Sequence, residues 1–205
     1  MNARDVLELR HRVRKTIRDV FDGGGFLEVD TPVLASEVLP EAHIDPVPVH
    51  LGAGPPATHY LQASPELLMK RLLAAGSGAI YQFARSFRAG EIGRLHDVEF
   101  VLLEWYAPGT TLDDAADLLE RLCGATLGTR GIERVSCSDA FREHAGVDPL
   151  TAPPAALSDA LRRAGSVLPD SFPTLPEATQ ADRAFEWLLA DVVQPRLGHG
   201  RPQML

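Results

Sequence analysis

The sequence predicts an α+β fold in which an antiparallel sheet is flanked by helices. Three observations carry that prediction. Residues 4–21 place Val6, Leu9, Val13, Ile17, Val20 and Phe21 at three- and four-residue steps in a charged stretch, the period of an amphipathic helix. Two runs, 79–88 and 98–106, read as strands and are joined by a polar, glycine-containing loop, 89–97, so they should pair as an antiparallel hairpin with a long tip. Beyond Pro108 the apolar spacing becomes helical again, over 112–123, 137–145, 154–164 and 177–193.

The remaining elements follow in chain order. Gly23, Gly24 and Gly25 end the first helix, because glycine tolerates the left-handed conformation that closes a helix. Residues 26–31 then read as a strand stopped by Pro32. Five prolines and two glycines between 38 and 58 predict a long loop, with one short strand around 46–51. A short strand over 59–63 leads to Ser64-Pro65-Glu66, a helix start with serine as N-cap, proline at the first helical position and glutamate in the first turn. That helix runs through Leu67, Leu68, Leu72 and Leu73 to Gly76. Proline- and glycine-rich connectors separate the later helices, with no internal repeat and no low-complexity tract. Residues 198–205 carry no stop signal and read as a sequence interrupted in mid-run.

A chain of 205 residues with 45% hydrophobic content fits one domain with a real core. The formal charge of −8 argues against a general nucleic-acid binder, whose footprint is a basic surface, and leaves room for local basic patches. Cys123 and Cys137 show no metal-like spacing, so a reduced, cytoplasmic protein is expected. Met1 to Asp5 lead into a charged stretch rather than an apolar signal segment, and no apolar run approaches the ~20 residues that span a bilayer.

The chemistry concentrates in the hairpin. Side chains alternate along a strand, so Phe100, Leu102, Glu104 and Tyr106 share one face, and Gln82, Ala84, Ser86 and Arg88 share a face on the partner strand. A guanidinium, a ring, a carboxylate and a phenol on one sheet face suit a wet pocket better than a packed core, because buried charges are costly unless paired. Arginine binds phosphate through its fork, a ring stacks on a base, and a carboxylate holds an ammonium group. Glu66 could add a second carboxylate from the neighbouring helix start. The plainer reading of the same residues stays open. Arg88 could pair with Glu91 or Glu104 at the surface, and Phe100 and Tyr106 could pack as ordinary apolar-face residues. Glu66 could be only a favourable helix-start charge, and His96 a solvated loop histidine.

Two stretches resemble known motifs. Gly25 to Pro32, following an amphipathic helix, is similar to motif 1 of class II aminoacyl-tRNA synthetases, taken here as residues 4–32. Ser86-Phe87-Arg88, then Arg94 to Phe100, then Leu103-Glu104-Trp105-Tyr106 resemble their motif 2, within 79–106. Ser64-Pro65-Glu66 and Glu104-Trp105-Tyr106 resemble the lysyl type of that class. The sequence is expected to start directly at the catalytic domain, without an anticodon-binding barrel. That start is similar to the stand-alone lysyl branch that attaches lysine, preferably β-lysine, to elongation factor P.

The resemblance implies an ATP-dependent ligase that activates lysine or β-lysine as an aminoacyl-adenylate and passes it to a lysine of elongation factor P. Arg88 would bind the α-phosphate and stabilise charge during attack. Glu91, His96 and Phe100 would complete the ATP site, with Phe100 stacked on adenine. Ser64, Glu66, Glu104 and Tyr106 would hold the lysine amino groups. Pro32 and the motif 1 helix imply a homodimer interface, and ATP use implies Mg2+. The alternatives are lysyl-tRNA synthetase activity on tRNA, or a synthetase-like binding remnant without catalysis.

The sequence departs from the family pattern in three places. Ala89-Gly90 follow Arg88 where a glutamate usually stands two residues on, and the acid appears at Glu91. The usual His-Asn-Pro-Glu-Phe run reads His96-Asp97-Val98-Glu99-Phe100, which should loosen the loop and adds an acid near a triphosphate. Motif 3, the late lysine contacts and the Mg2+-binding acids are absent, and 110–195 reads as a helical insertion region. The expectation is a catalytic domain incomplete at its C-terminus, with unpaired sheet edges.

Overall fold

Asn2 starts the first helix. Its side chain accepts the Asp5 N–H at 3.0 Å while its own N–H donates to Asp5 Oδ2 at 2.9 Å, a reciprocal cap that satisfies two otherwise orphaned donors. The computed structural model describes residues 2–52, 58–166 and 172–205. Met1, part of the proline-rich loop (53–57) and part of one connector (167–171) lie outside them. The described chain divides into two compact units, Met1–Leu127 and Gly128–Leu205.

In the first unit, α1 (Ala3–Gly23) exposes most of its surface and buries Phe21 completely. Gly24 donates back to Val20 and Phe21, and Gly25, at φ +77°, turns the chain so that Phe26 N–H reaches Phe21 O at 3.0 Å. Strand β1 (Leu27–Glu28) is shorter than the predicted 26–31, its bonding to the neighbouring strand ending with Val29 N–H to Tyr81 O at 2.9 Å. It runs parallel to β5 (Ile80–Phe87), which pairs antiparallel with β6 (Glu99–Tyr106), giving the order β1-β5-β6. The predicted hairpin is present as eight paired positions from Ile80↔Tyr106 to Phe87↔Glu99. A second small sheet has the order β2-β4-β3, from Leu34–Ala35, Thr58–Leu61 and Val47–His50, all antiparallel. Strand β2 escaped the sequence pattern because two residues hold no periodicity.

Helix α2 (Glu66–Ala74) begins one residue later than predicted, with Pro65 in the cap position. Pro65 has no N–H, so Ser64 Oγ instead accepts from Glu66 N at 3.2 Å. Helix α3 (Leu112–Leu127) outruns its prediction by four residues. One face of the three-stranded sheet carries Tyr81, Phe83, Leu103 and Trp105, which pack with Phe21, Ile17, Val20, Phe26, Leu118 and Leu122 from α1 and α3. Phe21 and Tyr81 stack at 4.4 Å between ring centroids. That packing turns Gln82, Ser86, Glu104 and Tyr106 to the other face.

The second unit builds a core of its own from α4 (Cys137–Ala145), α5 (Pro154–Arg163) and α6 (Glu177–Trp187), around Phe141, Leu161, Phe172 and Leu188. The helix predicted over 177–193 changes register: a π-helical segment, Leu188–Val193, brings Leu188, Val192 and Val193 into the core, and a 3-10 turn, Gln194–Arg196, follows. A further 3-10 turn covers Phe172–Thr174. The residues read as interrupted in mid-run, 198–205, include β8 (Gln203–Met204), which pairs parallel with β7 (Glu133–Arg134). Neither two-residue strand left a periodic signal. The α+β prediction agrees with this architecture. No helix among the described residues is long and apolar enough to cross a membrane.

Candidate active site

The face alternation expected from sequence is realised in the register: Gln82 lies opposite Glu104, Ala84 opposite Leu102 and Ser86 opposite Phe100. Arg88 extends the ladder by one bond, its N–H donating to Val98 O at 3.0 Å. Its guanidinium carbon lies 5.0 Å from the centre of the Phe100 ring, a cation–π contact that fixes the plane of the fork. Nη1 is 3.7 Å from Glu91 Oε1, a loose ion pair, and Nε is buried without an acceptor. A buried donor left unpaired is costly, so this guanidinium is held in place yet unsatisfied. Ser86 Oγ, fully buried on the same face, also lacks a partner.

At the other end of the face four residues converge. Ser64 Oγ donates to Glu104 Oε2 at 3.0 Å, and Tyr106 Oη donates to Glu104 Oε1 at 2.6 Å. Both carboxylate oxygens are therefore oriented by hydroxyl groups, and no cation among the described residues pairs with Glu104. The Tyr106 phenol is pushed far above its ordinary range, first by burial, then by its bond to Glu104 and by the negative fields of Glu104 and Glu66. Glu66 thus shares the electrostatic neighbourhood of this cluster. Its carboxylate pairs with Lys70 one turn along α2. Sequence reasoning overlooked Lys70, although its spacing four residues after Glu66 was a usable signal. It also overlooked the buried floor, where Thr31 Oγ1 donates to Gln82 Oε1 at 3.0 Å.

Two further site candidates are exposed. His96 is exposed on the loop joining the two strands, where its backbone bridges Gly93. Pro32 is exposed beside the buried Thr31. Arg85 projects to the opposite face and pairs with Glu99. A cleft of about 890 Å³ lies against Phe26, Trp105 and Leu118 and shares Tyr106 with the site.

The described residues contain no group of three or more His, Cys, Asp or Glu side chains that could hold a metal ion. The Mg2+ that the family resemblance implies has no matching ligand set among the described residues.

One sheet face thus carries an arginine over an aromatic ring at one end and a hydroxyl-oriented carboxylate at the other. The sequence matches the family of class II tRNA synthetases (D, K and N) over residues 1–155, and the chain belongs to that family. Among curated relatives it is 38% identical over 198 residues to the elongation factor P–(R)-β-lysine ligase of Sodalis glossinidius (strain morsitans), covering 91% of this chain and 57% of the relative. The proteins of the same name from Yersinia enterocolitica and Edwardsiella ictaluri are 36% and 38% identical, covering 94% of this chain and 59% of each relative. The chain thus spans under two thirds of the length of these relatives.

Proposed function

We propose that this chain contributes the lysine- and ATP-binding face of an ATP-dependent ligase that activates lysine or β-lysine for transfer to elongation factor P. One observation carries the reading: a single sheet face has a cationic pole at Arg88–Phe100 and an uncompensated carboxylate pole at Glu104. Phe100 and Glu104 are four residues apart on one strand, about 13 Å at the usual strand rise. That separation suits a nucleotide phosphate at one pole and an amino group at the other.

The chemistry follows from the poles. A lysine carboxylate oxygen attacks the α-phosphorus of ATP, the bond to the β-phosphate oxygen breaks, and pyrophosphate leaves. Arg88 offers its fork to the α-phosphate, where charge builds, and Phe100 stacks on adenine. Ser64 and Tyr106 aim the Glu104 carboxylate at one ammonium group, and Glu66 takes the other. Catalysis here is positioning and electrostatics. Glu91 and His96 are assigned to the ATP site, and Pro32 to a homodimer contact, on the family resemblance. The names of the relatives support elongation factor P as acceptor.

The test is lysine-dependent ATP–pyrophosphate exchange by the purified 205-residue chain, with α- and β-lysine side by side. Exchange above a no-lysine blank is expected, with elongation factor P and tRNA compared next as acceptors. A cooperatively melting sample that neither exchanges pyrophosphate nor binds lysine by calorimetry overturns the proposal.

A further inference from the structure

We propose that Lys70 is a built-in stand-in for a substrate ammonium group: it occupies Glu66 in the free protein and yields that carboxylate when a diamino acid binds. The inference rests on the lysine-binding role proposed for Glu66 and Glu104. It deepens that role by naming the residue that sets the affinity of one of the two subsites.

The two carboxylates are not equivalent. Among the described residues Glu104 is held by the hydroxyls of Ser64 and Tyr106, both neutral donors, so a cation can approach it without displacing another. Glu66 already carries one, the Lys70 ammonium. The two carboxylates are coupled through Ser64, whose hydroxyl donates to Glu104 and accepts from the Glu66 backbone N–H. The Tyr106 phenol lies in the fields of both. Lys70 balances the charge of the Glu66 carboxylate in the free protein.

The tether is built to let go. Lys70 lies four residues after Glu66 on α2, its side chain is 55% exposed, and that of Glu66 is 32% exposed. A half-solvated pair of this spacing is weak, and a lysine stem is flexible enough to swing its ammonium into water. A ligand ammonium arriving at Glu66 therefore trades one ion pair for another. It must also tolerate Lys70 nearby, so both effects lower the affinity for a second amino group. A ligand with a single amino group seated on Glu104 leaves Lys70 in place.

Calorimetric titration of the full 205-residue chain with lysine and with norleucine, which has the same backbone but no side-chain ammonium, separates these cases. Lys70→Met should bind lysine about two- to fivefold tighter than the parent chain, the range expected for one exposed ion pair. Its affinity for norleucine should stay the same. Lys70→Gln serves as the second variant if Lys70→Met does not melt cooperatively. A purely structural role for Lys70 would lower the melting temperature and move both ligands alike. Unchanged or weaker lysine binding in the variant, with normal binding by the parent, overturns this inference alone. No lysine binding by a folded parent chain overturns the site assignment and this inference with it.

Discussion

Arg85 and Arg88 stand three positions apart, and strand alternation sends them to opposite faces. Arg85 meets Glu99 at the surface, whereas Arg88 lies on Phe100 with its Nε unsatisfied. Losing a charged hydrogen-bond donor to a ligand costs about 1.5–3 kcal/mol, so Arg88→Ala should weaken ATP binding roughly 10- to 100-fold. Arg85→Ala removes only an exposed ion pair and should change it by less than about threefold. Titration of ATP into both variants decides, and equal losses would contradict the assigned faces. Glu104→Gln keeps the shape of the group that Ser64 and Tyr106 orient but removes its charge, and it should abolish most lysine affinity while leaving ATP affinity near that of the parent. At this scale the sequence revealed which residues share a face, because alternation is local. It did not reveal that Glu66 is occupied by Lys70 or that Arg88 is only loosely paired with Glu91. Those facts depend on side-chain reach across a folded surface.

The sheet is held to α1 by a knot of four side chains. Arg18 donates to both Glu28 oxygens at 2.8 Å, and Tyr81 Oη donates to Asp22 at 3.0 Å and Glu28 at 3.3 Å. The Glu28 carboxyl is held below its ordinary range, chiefly by the Arg18 hydrogen bond, so its contribution is present above the unfolded carboxylate pKa and lost as pH falls through the folded value. Tyr81 is shifted the other way. Burial, then its bond to Asp22, raise the phenol pKa, so its contribution is full below the unfolded value of about 10 and declines as pH rises beyond it. Urea unfolding at pH 4, 7 and 10.5 should show losses at both ends. Tyr81→Phe, which keeps the ring on Phe21, should flatten the alkaline loss, and Glu28→Gln the acid one. Phe21→Ala removes the fully buried ring at the centre of this packing and should cost about 3–5 kcal/mol. The long periodic elements, α1 and the β5–β6 hairpin, were legible in sequence. The two-residue strands were not, since pairings such as Glu133↔Gln203 are non-local and leave no pattern in a short window.

Over the whole molecule, apolar packing divides between two cores, Phe21–Tyr81–Leu118–Leu122 in the first unit and Phe141–Leu161–Phe172–Leu188 in the second. Composition reports only the total apolar content, not how that content is partitioned between the two units. Every residue assigned to the lysine and ATP sites, from Ser64 to Tyr106, lies in the first unit. A cavity in the second core should therefore lower stability without touching ligand affinity. Leu161 is completely buried, and Leu161→Ala should cost about 2–5 kcal/mol. Calorimetric melting with and without saturating lysine tests the consequence. Ligand at one hundred times its dissociation constant stabilises the state it binds by about 2.7 kcal/mol. Leu161→Ala should melt earlier than the parent chain while binding lysine with the parent's affinity at 25 °C. Phe21→Ala should lose stability and lysine affinity together, because its core supports the strands that carry Glu104 and Tyr106. If Leu161→Ala weakens lysine binding as much as Phe21→Ala does, the site depends on the second unit, and the division of labour between the two cores fails.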